Sequence, residues 1–189
     1  MITIVQVGFS WGKSYYSHNP HRIFHQVRGL RTLGLNRDHN FPYKPLMVSK
    51  MPVPSEYQRA ADDFYKLLMD ARDSASLTTT NQAYTVVQAV FQVFRRRLDV
   101  KDAIRFLSVL PVGARALFVA DWDADDPKRE FDDRAIMTKE VQALRAEHNY
   151  APKTAIRDVA IALRRNLDQA AFDRVLATLP PGAMQFWQP

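Results

Sequence analysis

Val-Phe-Gln-Val-Phe-Arg-Arg-Arg-Leu-Asp at 90–99 returns as Val-Ala-Ile-Ala-Leu-Arg-Arg-Asn-Leu-Asp at 159–168. Leu-Pro-Val-Gly-Ala-Arg-Ala-Leu-Phe at 110–118 returns as Leu-Pro-Pro-Gly-Ala-Met-Gln-Phe-Trp at 179–187. A single shift of 69 residues carries Val90 onto Val159, Asp99 onto Asp168, Leu107 onto Leu176 and Pro111 onto Pro180 without a gap. Apolar positions, helix-capping aspartates and helix-stopping prolines that repeat at one offset mark an internal duplication. Two units are too few for a solenoid. The simpler expectation is one bundle whose halves face each other across a pseudo-twofold axis.

Outward from this core the text stays helical. Tyr57, Ala60, Ala61, Phe64, Leu67 and Leu68 follow helical spacing and predict a helix from Ser55 to about Arg72, with Ser55 and Gln58 read as a capping box. Residues 73–80 are a polar loop. A helix over about 81–97 places Tyr84, Val87, Val90, Phe91 and Phe94 inward. Asp99 caps the next, which carries Ala103, Ile104, Phe106, Leu107 and Leu110 up to Pro111. A short helix follows with Ala114, Leu117 and Phe118. A link over 120–131 leads to a helix over about 132–147 with Ile136, Val141 and Leu144 inward. The expected fold is all-α, a bundle of about eight helices made of two tandem units, roughly 55–120 and 131–189.

Several short motifs run through residues 54–189: Phe-Arg-Arg-Arg-Leu-Asp at 94–99, Val-Leu-Pro at 109–111, and Ala-Asp-Trp-Asp at 120–123 with Pro127. They continue in Glu-Val-Gln-Ala-Leu-Arg at 140–145, His-Asn-Tyr-Ala-Pro at 148–152, and Leu-Pro-Pro-Gly-Ala at 179–183 with Phe186 and Trp187. In these motifs residues 54–189 resemble the bacterial family known as domain of unknown function 2267. The resemblance implies an all-helical domain and brings no activity, substrate, cofactor or catalytic residue with it. It does not reach residues 1–50.

That first segment differs in kind. It holds seven Lys or Arg against Asp38 alone, so it carries the whole net charge of +6 and leaves residues 51–189 with 19 basic and 19 acidic side chains. It also holds four of the five histidines, and its aromatics show no sustained period. Three readings compete: a poorly structured basic arm for nucleic acid, a metal site at His18, His21 and His25, or sequence upstream of a true start at Met51. The histidine cluster has no carboxylate or fourth ligand nearby, and the upstream-start reading is preferred.

In residues 51–189 the candidate chemistry is thin. Asp121, Asp123 and Asp125 alternate as calcium ligands do, but Asp126 stands where the loop needs glycine, and Asp132 where it needs a bidentate glutamate. A solvated acidic link is the stronger reading, with Trp122 as an anchor onto the core. Arg95, Arg96, Arg97, Arg164 and Arg165 form two repeat-related basic clusters, a possible contact surface for a nucleic-acid backbone. Their place in the last turns of helices favours the alternative, that they cover free carbonyls. His148 is likewise expected at a helix end. No nucleophile elbow, phosphate-binding glycine loop or His-Glu-x-x-His helix is present.

No cysteine occurs and no apolar run approaches a membrane span, which predicts a cytoplasmic protein with no membrane partner. The expected function is a protein-interaction or self-associating regulatory module without catalytic activity or cofactor. The alternatives are a nucleic-acid-associated protein using the basic arm, and a ligand carrier or enzyme with a pocket between the halves.

Overall fold

Short polar side chains and prolines set where the helices begin and stop. The computed structural model describes residues 53–189. Among them run α1 (Ser55–Gln58), α2 (Ala60–Ser74), α3 (Thr80–Arg95), α4 (Val100–Leu107), α5 (Val112–Val119), α6 (Arg134–Ala143), α7 (Ala155–Arg165), α8 (Gln169–Leu176) and α9 (Ala183–Phe186). No strand occurs among the described residues. Asp99 and Asp168 cap α4 and α8 by accepting from Asp102 N at 2.8 Å and Ala171 N at 3.0 Å. Pro111 fills the N-cap position of α5, where its missing N–H costs nothing.

The duplication builds an interlocked pair of halves. The helices α2, α3, α4 and α5 correspond in order to α6, α7, α8 and α9. Within each half, α2 packs on α3 and α6 on α7. Across the halves α2 packs on α7, and its mirror pair, α3 on α6, does the same; α3 also meets α7, and α4 meets α8. This is the contact pattern a pseudo-twofold axis requires. Hydrogen bonds repeat it. Arg97 donates to Val93 O, four residues back, and to Glu140 on α6; its mate Asn166 donates to Ala162 O and to Asp70 on α2.

The core is not symmetric. Phe91, Phe94 and Phe106 are fully buried where the second half has Ala160, Leu163 and Val175, while Phe172 and Phe186 stand where the first has Ala103 and Leu117. Large and small side chains thus trade places between the halves, and the rings of the two halves meet one another, Phe94 at 5.0 Å from Phe186 and Phe106 at 5.8 Å from Phe172. The rings converge on Trp187, 5.2 Å from Phe94 and from Phe186, 5.5 Å from Phe106 and 6.1 Å from Phe91 and from Phe172.

Six expectations need correcting. Ser55 and Gln58 form no capping box, because Pro54 holds the cap position and Ser55 is already helical; the Gln58 amide donates back to Val53 O. The box is at Thr79, whose hydroxyl accepts from Gln82 N while Gln82 Oε1 accepts from Thr79 N. The helix expected over 55–72 is broken at Arg59 into α1 and α2, and Tyr57 is exposed. Tyr84 is 36% exposed and meets Phe64 edge-on, because α3 buries the face centred on Val86, Val90 and Phe94. The helix expected over 132–147 ends at Ala143: Asn149 covers the carbonyls of Val141 and Leu144, and Arg145 turns into the left-handed region at φ 53°. Met137 and Val141 face inward on it, and Ile136 is 47% exposed.

Two repeat-matched glycines let α5 and α9 each approach the start of their own half. A Cβ on Gly113 would stand 2.5 Å from Phe64 Cβ, and one on Gly182 2.6 Å from Phe131 Cβ. Gly182 also holds φ at +98°, where side chains are strained. Gly113→Ala is expected to destabilise by about 1–3 kcal/mol through overpacking. Gly182→Ala adds a left-handed penalty of about 1–2 kcal/mol. Urea unfolding of the two variants checks the order; equal losses would remove the backbone argument.

Candidate functional site

The arginine clusters resolve into individual roles. Arg95 and Arg97 are buried, which removes both from the expected contact surface. The guanidinium of Arg95 lies across the end of α5, donating to Phe118 O, Ala120 O at 2.8 Å and Asp121 O at 3.0 Å. It also stands 5.7 Å from the Trp122 ring. Burial, and then the charge of Arg96, hold its pKa below the ordinary arginine range; Asp121 and Asp126 oppose this. Its repeat mate Arg164 does the same for α9, donating to Trp187 O at 3.0 Å, and pairs with Asp173 at 2.8 Å. Free carbonyls explain both residues, but they belong to the neighbouring helix rather than to their own. Arg165 is exposed and 4.0 Å from Asp70.

Arg97 is 99% removed from solvent and grips Glu140 with both terminal nitrogens, at 2.7 and 3.3 Å. Arg96 differs from its neighbours. It is half-buried, and among the described residues its guanidinium has neither an ion pair nor a hydrogen bond, although its carbonyl accepts from Arg129 N at 2.8 Å.

The other candidates do not assemble. His18, His21 and His25 lie outside the described residues. Among the described residues no three His, Asp or Glu side chains converge as metal ligands, so Asp121, Asp123 and Asp125 form no such set. Asp123 instead accepts from Asp125 N at 3.0 Å, closing a turn within the link. His148 is exposed, and the helix-end carbonyls are taken by its neighbour Asn149.

One surface has no counterpart in the repeat. Ile104, expected inside, is 62% exposed, and Val100, one turn before it on α4, is 48% exposed. Positions four apart share a helix face. The shift of 69 places Gln169 and Asp173 at these positions on α8. The same local fold therefore accepts polar residues at both, and the apolar pair on α4 is not demanded by packing. Val100 also lines a groove of about 220 Å³ together with Arg96, Leu98, Trp122, Asp126 and Lys128. Trp122 is half-buried and packs edge-on against Phe118 at 6.1 Å, so the aromatic is held from below.

A larger hollow of about 540 Å³ lies between the start of α6 and α9, lined by Asp132, Asp133, Arg134 and Gln185. Its charged groups are already engaged. Arg134 donates to Gln185 O, Phe186 O and Gln188 O, Asp133 accepts from Ala135 N, and Asp132 accepts from Asp133 N. Among the described residues no helix is long and apolar enough to cross a membrane.

Residues 64–186 match the family described as "Uncharacterized conserved protein (DUF2267)". No curated protein matches the chain.

Proposed function

The chain belongs to the DUF2267 family, and from that membership, which brings no activity with it, we propose that it is a cytoplasmic, non-catalytic helical module that docks a protein partner through the exposed face of α4. The observation that carries this reading is the pair Val100 and Ile104, exposed where the duplicate helix bears Gln169 and Asp173. A lone exposed aliphatic is ordinary, but a contiguous pair beside a groove with an aromatic wall has the makings of an interface centre. The cysteine-free sequence suits a reducing compartment. Of the five arginines that would assist the nucleic-acid alternative, two are turned inward, and the basic arm on which it rests lies outside the described residues.

A photo-crosslinking amino acid placed at position 104 in the native cell tests the reading, with position 173 as the internal control. A discrete adduct from 104 and none from 173 is expected. A product of twice the chain mass would make the partner a second copy. The same pattern from both positions, or none from either, would remove the docking face. The double variant Val100→Gln and Ile104→Asp, which copies α8, should abolish the adduct made from a neighbouring exposed position such as Ser108. Its stability is expected to stay within about 0.5 kcal/mol of the parent, as for ordinary surface changes.

A further inference from the structure

We draw no further inference here: the strongest candidate, the exposed apolar face of α4 at Val100 and Ile104 with the groove beside it, is rimmed by side chains of both signs, and nothing in the structure shows what covers it.

Discussion

Replacing Glu140 with alanine is expected to destabilise the fold by about 3–5 kcal/mol, because it strands a guanidinium that has no route to water. Arg97 exposes 1% of its side chain, and both its ion-pair bonds end on Glu140. Its remaining side-chain partner is Val93 O at 2.7 Å, and its Nε has none. The second arginine on Glu140, Arg129, is 53% exposed at 3.3 Å. Solvent screens that contact to about 0–1 kcal/mol, so Arg129→Ala should be near silent. The pair joins the end of α3 to α6, one of the two equivalent crossings between halves. Removing both charges together tells breaking from replacing: Arg97→Met with Glu140→Leu should recover most of the loss, since desolvation offsets much of a buried pair's attraction. Urea unfolding of the two single variants and the double variant measures this. A Glu140→Ala loss below about 1 kcal/mol would mean that Arg97 finds water or another acceptor, and the buried-pair account would be wrong.

Phe94→Ala is expected to cost about 3–5 kcal/mol, the range for emptying a well-packed aromatic site. Phe94 is fully buried and lies 4.7 Å from Phe106 of its own half. It lies 5.0 Å from Phe186, 5.2 Å from Trp187 and 5.9 Å from Phe131. One deletion therefore removes contacts in both halves, and unfolding should remain a single transition with a lower midpoint rather than separate into two. Its repeat mate supplies the scale: Leu163→Ala removes fewer atoms at the equivalent place and should cost less, about 2–5 kcal/mol. Thermal melts followed by near-ultraviolet circular dichroism check both. A Phe94→Ala loss under about 1 kcal/mol, or two resolved transitions, would show that the halves are stabilised independently and that the shared aromatic centre is not what unites them.

Val90, Phe94, Leu110 and Phe118 were legible as core, as were Val159, Leu163, Leu179 and Trp187, because helical period, caps and stops are properties of neighbouring residues along the chain. Asp99, Asp168 and Pro111 perform the roles their types dictate, since an N-cap needs only a short acceptor and three free amides. The duplication itself belongs to the same class of signal. It established that two units exist and which positions correspond.

The candidate site was not legible in the same way. Arg95, Arg96 and Arg97 are chemically alike and adjacent, yet one caps another helix, one faces a groove and one is sealed against Glu140. Which of the three happens depends on which helix crosses at that point. The crossing of α2 on α7 and of α3 on α6 joins residues far apart in sequence, so no local period encodes it. Ile104 was read as inward because it continues an apolar rhythm that Ala103 and Phe106 complete without it. By itself the sequence determined the helices, their ends and their twofold repetition, since these follow from forces acting within a turn or two. Tertiary structure alone decided which charges are buried, which carbonyls they cover and which apolar face is left open, since each of those depends on what the other half places opposite.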